Sequence, residues 1–352
     1  MDPLLPERCG EALTVVDHWV VTGGAGYVGG HVVAALMAAG VEVVVFDDLS
    51  TGRAERVPPG ARLVRGRVGD PSALDAVLQG AAGVVHLAAL TSAPESVADP
   101  LSYYRANVTD VATLLASMAG HGVSRLVASS SAAVYGGRPG EPAPRAFTEQ
   151  HQPAPQNPYG TTKWVGERLI ADVGATTGMA TVALRYFNVV GAGDPALADV
   201  RTGALLPRVL LARRDGRPLT VYGRTHPTAD GSAVRDFVHV LDVADAHVAA
   251  VTRVSSGWRG AAVYNVGTGR GSSVLELLAR VADVTGGAVP WVDGDPRPGD
   301  PAYAVADASL IAGELGWRPR RSLDESIASA WEAMDGTAPV STRRRRALAA
   351  AG

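Results

Sequence analysis

Cysteine is almost missing from this 352-residue chain. Cys9 stands alone, so no internal disulfide framework can staple the fold, and such sparing use suits a reducing cytoplasm. Excess charge is missing as well. A net charge of −3 supplies no basic field to hold nucleic acid or an anionic membrane. No apolar run reaches the ~20 residues that a membrane-spanning helix needs. The amino terminus shows no basic stretch followed by an apolar one, which argues against secretion and for a cytoplasmic protein. On that view the sequon Asn107-Val108-Thr109 is incidental. The eight histidines form no H-x-x-x-H pair and no Cys/His cluster, so no metal is expected. What the chain does have is core material: 47% hydrophobic residues, ample for one large unit or two closely packed domains.

The first half alternates strands and helices, with candidate strands ending near Thr22, Asp47, Val64, Leu87, Ser129 and Arg185. That alternation predicts an α/β fold built on a parallel, doubly wound sheet. Trp19-Val20-Val21-Thr22 reads as a buried strand, and Tyr27 to Ala39 as a helix with Val28, Val32, Val33, Leu36 and Met37 on its apolar stripe. Between them Gly24, Gly26 and Gly29, preceded by Gly23, fit G-x-G-x-x-G. Glycines there allow a tight turn and close approach of a pyrophosphate to the free amides of a helix N-terminus. An unliganded glycine-rich turn is the alternative. The next apolar strand, Val41 to Phe46, ends in Asp47, about twenty residues past the loop, where a carboxylate can bond adenosine ribose hydroxyls. This favours NAD over NADP, with Arg53 as the one nearby group that could accept a 2′-phosphate.

Tyr159 and Lys163 stand four residues apart on the helix predicted after Asn157 (N-cap) and Pro158 (first turn), so they share one face. A free phenol, with pKa about 10, is too weak a base at neutral pH, and a fixed cation beside it lowers that value. The pair therefore proposes Tyr159 as a general base acting on an alcohol. Residues 137 to 158 form a proline-rich connection. Later come loops at 191 to 204 and 223 to 236, a helix at 273 to 285, and a last helix opened by the capping box Ser322-x-x-Glu325. A basic tail, Thr342 to Ala347, follows.

The ordered segments TGGAGYVG, FDDLSTG, VVHLAAL, SSSAAVYG, NPYGTTK, LRYFN, HPTADGSAVRDFVHVLDVADAH, YNVGTG and RPGDPAY run from about residue 18 to 334. In them the chain resembles the extended short-chain dehydrogenase/reductase superfamily, and within it the UDP-glucose (UDP-galactose) 4-epimerases. The resemblance implies a Rossmann-like NAD-binding domain at 18–185, a smaller C-terminal α/β sugar-nucleotide-binding domain at 186–336, an N-terminal extension at 1–17 and a flexible tail at 337–352. It implies a homodimer. It also implies epimerisation at carbon 4 through a 4-keto intermediate, with NAD retained and a UDP-hexose as partner. Tyr159 would take the proton of the sugar 4-hydroxyl, Ser131 would bond the same oxygen, and Lys163 would hold the nicotinamide ribose. NAD would lie against Gly23, Gly26, Tyr27, Val28, Gly29, Asp47, Asp48, Leu87, Ala88, Ala89, Asn107 and Tyr186. The sugar nucleotide would meet Phe187, Asn188, Leu206, Thr220, Val221 and Tyr222, the last at the uracil-stacking position. Arg235 and Arg297 would take its pyrophosphate, with Asp300 beside them, and Tyr303 stands where a bulky residue favours plain hexoses.

Three positions depart from the family pattern. Arg67 replaces an aspartate that holds the adenine, Thr91 a lysine near the cofactor phosphates, and Ala204 a substrate-contacting asparagine. They leave room for a specialised substrate, such as a uronic or deoxy sugar nucleotide. Sugar-nucleotide 4,6-dehydratases and decarboxylases share the glycine loop and the Tyr/Lys pair but need acidic groups where this chain has Ala132 and Ala133. A net reductase would consume added NAD(P)H, and a nucleotide-sensing binding protein would have no use for the pair.

Overall fold

Strands without polar alternation are strands covered on both faces. Val20, Val21, Val43, Val44, Val45 and Phe46 are all buried. The computed structural model describes residues 17–137, 146–201, 203–297 and 300–335. Cys9, the extension as far as residue 16 and the basic tail lie outside the described residues, as does part of the proline-rich connection.

The chain runs β1 (His18–Thr22), α1 (Tyr27–Ala38), β2 (Val43–Asp47), β3 (Arg62–Arg65), α2 (Pro71–Leu78) and β4 (Ala81–His86). It continues through α3 (Ala93–Ala98), α4 (Pro100–Tyr104), α5 (Asp110–Gly120), β5 (Arg125–Ser131), α6 (Pro158–Thr177), β6 (Ala180–Tyr186) and β7 (Asn188–Val190). Next come α7 (Leu205–Asp215), β8 (Leu219–Tyr222), β9 (Val234–His239), α8 (Val240–Ser255), β10 (Ala261–Val266) and β11 (Gly271–Ser273). Last are α9 (Val274–Thr285), β12 (Trp291–Gly294), β13 (Tyr303–Ala304), α10 (Ser309–Leu315) and α11 (Leu323–Asp335).

Seven parallel strands form the main sheet in the order β10-β6-β5-β4-β1-β2-β3. From β1 the chain winds outward to β3, then crosses back to β4 and winds the other way. The carboxyl ends of β1 and β4 therefore flank the switch point, where open α/β sheets bind ligands. One face is covered by α1 and α8, whose Val32, Val33 and Leu36 share a core with Val243, Ala250 and Val254. The opposite face is covered by α2, α5 and α6 through Leu74, Leu78, Leu114, Met118 and Ile170.

The expected division at 185/186 is crossed by the chain. Helix α8 returns to pack on α1, and β10 pairs with β6 as the seventh strand of the main sheet, with Tyr264 opposite Leu184. The remaining elements build two smaller sheets. In one, β9 pairs with β7, β11 and β13; in the other, β8 pairs with β12. The expected loop at 223 to 236 is cut short because Val234–His239 is a strand. Its partners lie far off in sequence, so no local signal marks its start. A third core, with Leu206, Leu210, Val221, Leu278 and Ile327, sits beneath these sheets.

The helix signals hold. Ser273 and Glu276 form a reciprocal capping box, as do Ser322 and Glu325. No helix among the described residues is long and apolar enough to cross a membrane.

Candidate active site

Glycine at position 29 is compelled by packing. A Cβ there would sit 2.1 Å from the Gly23 carbonyl oxygen, and one on Gly23, at φ +72°, 2.5 Å from the Ala88 nitrogen. The turn thus presses against the segment after β4, where the Leu87 amide donates to Thr22 O at 2.9 Å and the Ala88 amide to Thr22 Oγ1 at 3.4 Å. Helix α1 begins at Tyr27, Val28 and Gly29 after Gly26, and no side chain caps it, so its first amides are open to an anion. Asp47, at the end of β2, accepts from the Ala25 amide at 3.0 Å and the Leu49 amide at 2.9 Å, which aims its carboxylate at the same turn. Burial raises its pKa against those bonds. Asp48 is exposed and bonds Ser50. Ala89 lines a small, partly open cavity with Asn107 and Lys163. Asn107 is spent on scaffolding: Oδ1 accepts from the Leu90 amide, and Nδ2 donates to Leu90 O and Thr162 Oγ1.

Helix α6 opens as its caps dictate, with Asn157 accepting from the Gly160 amide at 2.9 Å and Pro158 in the first turn. Gly160 lets the helix start touch the turn after β5, since a Cβ would meet Ala133 O at 2.5 Å. This brings Tyr159 beside Ser131, the last residue of β5, whose hydroxyl accepts from the Ala133 amide at 3.1 Å. The Tyr159 ring also meets Tyr103 edge-on, with centroids 6.4 Å apart.

Lys163 does not act on the phenol as the spacing predicts. Its Nζ donates to Ser129 O at 3.0 Å and Ser129 Oγ at 3.2 Å, so the ammonium is drawn to the strand end. Burial pushes the Tyr159 phenol up, while the Ser131 hydroxyl and the Arg201 guanidinium pull it down. Burial also takes Lys163 down to about 8, opposed by Glu167 one turn further along α6.

Glu167 belongs to a network that the motifs do not name. It is bound by Arg185 through Nε at 2.9 Å and Nη2 at 2.6 Å, and it accepts from Ser130. Arg185 also donates to the Tyr135 hydroxyl at 2.9 Å, which donates to Asn265 Oδ1 at 2.6 Å. Sequence offered one usable signal, the K-x-x-x-E spacing from Lys163 to Glu167.

Residues 191 to 201 fasten onto the glycine helix. The Tyr27 hydroxyl donates to Gly191 O at 2.7 Å, the Gly193 amide to His31 Nε2 at 2.9 Å, and Arg56 Nη2 to Ala198 O at 2.6 Å. Arg201, bound bidentately by Asp199, lies over the Tyr27 ring at 5.3 Å. Tyr186 ends β6 with its hydroxyl 2.6 Å from His247 Nε2.

The substrate candidates divide by burial. Phe187 packs in an apolar cluster with Tyr135 and Phe147, and Leu206 and Val221 lie in the third core, so these three shape walls. Asn188 and Thr220 are half-buried. Arg235 pairs with Asp300 and stands in β9 next to Val234, the register partner of Tyr303. Arg297 lies on the Tyr222 ring, 3.8 Å from its centroid, so the face expected to stack uracil carries a guanidinium here. Arg208, which no motif marked, is 5.9 Å from the same ring. Of the departures, Arg67 pairs with Asp110 at 3.2 Å, Thr91 is exposed, and Ala204 is the N-cap of α7 and contributes no capping bond. Among the described residues no group of three or more His, Cys, Asp and Glu could hold a metal.

A serine, tyrosine and lysine at the carboxyl edge of a parallel sheet, beside an uncapped helix N-terminus at the switch point, define an enzyme of the dinucleotide-dependent short-chain dehydrogenase/reductase class. The chain belongs to the NAD dependent epimerase/dehydratase family, whose profile matches residues 19–267. It is 42% identical over 328 residues to a UDP-glucose 4-epimerase of Azospirillum brasilense, covering 89% of this chain and 91% of that protein. Its fold is similar to the UDP-glucose-4-epimerase of Stenotrophomonas maltophila, solved with NAD and formylated UDP-arabinopyranose, at TM-score 0.85, 36% identity and coverage of 91% and 98%. It is likewise similar to the Brucella ovis UDP-glucose 4-epimerase solved with NAD, at TM-score 0.83, 36% identity and coverage of 90% and 98%.

Proposed function

We propose that this protein epimerises carbon 4 of a UDP-hexose, interconverting UDP-glucose and UDP-galactose, with NAD held throughout. The observation that carries this reading is Tyr159 brought beside Ser131 at the end of β5, followed by alanines at 132 and 133 where elimination would need an acid. The likeness to named UDP-glucose 4-epimerases supports it across most of the chain.

The residues at the switch point fit NAD. The open amides of α1 suit a pyrophosphate, and the oriented Asp47 carboxylate suits ribose hydroxyls while repelling a 2′-phosphate. When bound, NAD supplies a hydride acceptor and donor for carbon 4. Tyr159 takes the proton of the 4-hydroxyl and returns it after the sugar has turned over. Ser131 donates to the same oxygen and offsets charge as it develops. Lys163, at the strand end beside Ser129, would hold the nicotinamide ribose. Tyr186, Leu87, Ala88 and Ala89 border the nicotinamide end, and Asn188, Thr220, Tyr222, Arg235, Arg297 and Tyr303 border the sugar nucleotide. Residues 18–190 with 240–266 form the cofactor-binding part and the remainder the sugar-nucleotide part.

The protein works in the cytoplasm as a homodimer. Exposed Val97, Leu101, Tyr104 and Trp164 on the mutually packed α3, α4 and α6 give it an apolar face to bury.

The test is direct. Purified protein should release NAD on denaturation and equilibrate UDP-galactose with UDP-glucose without added reductant. No turnover of any nucleotide hexose would defeat the reading.

A further inference from the structure

Tyr222, at the end of β8, lies between two guanidiniums. Arg297 stacks on its ring at 3.8 Å and Arg208 approaches at 5.9 Å, and the two guanidiniums hold the phenol below its ordinary pKa. The other arginines around the cleft have acid partners: Arg235 has Asp300, Arg201 has Asp199 and Arg224 has Asp293. Arg208 and Arg297 form no ion pair with a carboxylate among the described residues. Two cations brought together without a counter-charge repel each other, and in a chain whose net charge is −3 such a local excess marks a place built for an anion.

The placement of Arg208 is fixed by packing. Leu206, Val209 and Leu210 of α7 are buried in one core with Leu219 and Val221 of β8, which turns position 208 towards the end of that strand. Arg297 arrives from the loop after β12, whose Gly294 pairs with Tyr222. A Cβ on Gly294 would come within 3.3 Å of the Tyr222 ring. Three elements thus converge on one phenol, whose face keeps the guanidinium planes in place before a ligand arrives.

We infer that Arg208 is a further substrate-binding residue, which with Arg297 forms a two-guanidinium fork around Tyr222 that takes the diphosphate of the nucleotide sugar. The inference rests on the sugar-nucleotide reading above. Each guanidinium offers a planar pair of donors, so two of them can serve oxygens on both phosphorus atoms.

The test uses the full-length holoenzyme and its Arg208→Gln and Arg208→Lys variants, titrated calorimetrically with UDP, uridine and inorganic pyrophosphate. NAD content and melting temperature serve as controls on the fold. Arg208→Gln should weaken UDP and pyrophosphate by about tenfold or more and leave uridine unchanged. Its KM for UDP-glucose should rise more than kcat falls. Arg208→Lys should recover part of the loss, since it keeps the charge without the fork. A folded Arg208→Gln protein that binds UDP like the wild type overturns the inference. So does one that loses uridine as much as UDP, which would reduce Arg208 to a prop for Tyr222. A wild type that binds UDP and pyrophosphate through Arg208 but turns over no sugar nucleotide defeats the epimerase reading and leaves the fork standing. A wild type that binds neither anion removes the fork itself.

Discussion

Glu167→Gln tests whether the buried network behind the candidate active site acts on both stability and chemistry. The side chains of Arg185 and Glu167 are only 6% and 9% exposed, and two close nitrogen–oxygen contacts join them. Glutamine keeps the shape but leaves the Arg185 guanidinium buried without its counter-charge. Breaking a buried pair this way costs about 3–5 kcal/mol, a large part of the ~5–15 kcal/mol that holds a native fold. At roughly 2 °C per kcal/mol for a chain of this size, melting should fall by about 6–10 °C. The second effect is electrical. Glu167 is the one group that opposes the burial holding Lys163 at about 8, so its loss lowers that pKa further. An amine with a lower pKa loses its proton at lower pH, so the alkaline fall in kcat/KM should move towards neutrality. Calorimetry and a pH–rate profile read the two effects separately. The double variant Glu167→Met/Arg185→Met, which removes both charges, should regain much of the stability while keeping the shifted limb. A Glu167→Gln protein that melts with the wild type and keeps its alkaline limb would refute the reasoning.

Tyr159→Phe should lose about 10²–10⁴-fold in turnover while still binding UDP-glucose, read by steady-state rates and calorimetry; an unchanged rate removes the phenol from its role. Gly29→Ala should cost NAD retention, because its methyl would lie 2.1 Å from Gly23 O; cofactor content after gel filtration measures it. Acid should destabilise the fold. His86 is held at about 3, and His239 and His247 at about 4, each by burial, so each stays neutral when folded. The unfolded chain binds protons there below about 6.5, so stability drops as pH falls below that value, by up to on the order of 2–3 kcal/mol per histidine near pH 4.5. Buried Asp47, Asp236 and Glu149, held above their ordinary values, work in the opposite sense and reduce the sum. A melting temperature that stays flat from about pH 7 to 5 contradicts this balance. For the proposed homodimer with α4 in its contact, Leu101→Glu should sediment as a monomer; a variant that sediments like the wild type refutes that contact.

Local signals carried most of the nucleotide-binding half. The glycine turn, Asp47 at a strand end, Asn157 as a cap and the two capping boxes each depend on a few neighbouring residues, and each is where the spacing predicts. What escaped depends on distant chain. Strand β10 is settled by β6, and β9 by β7, β11 and β13, so neither announces its neighbours. The Tyr159/Lys163 spacing rightly puts both residues on one helix, but spacing cannot reveal that Ser129 competes for the ammonium or that burial outweighs it. Arg208 was silent because its meaning comes from meeting Arg297 across Tyr222.

The position of β10 also governs how this protein can be made and remade. During synthesis the main sheet stays one strand short until Val266 has left the ribosome, and by then β7, β8 and β9 have already emerged. A fragment that stops at Arg185 would present β6 as a bare rim of unpaired backbone groups, an invitation to self-association. Recombination between relatives faces the same stitch. A sugar-recognition half taken from another member has to bring residues 240–266 with it, because that stretch seals the partner it would be joined to.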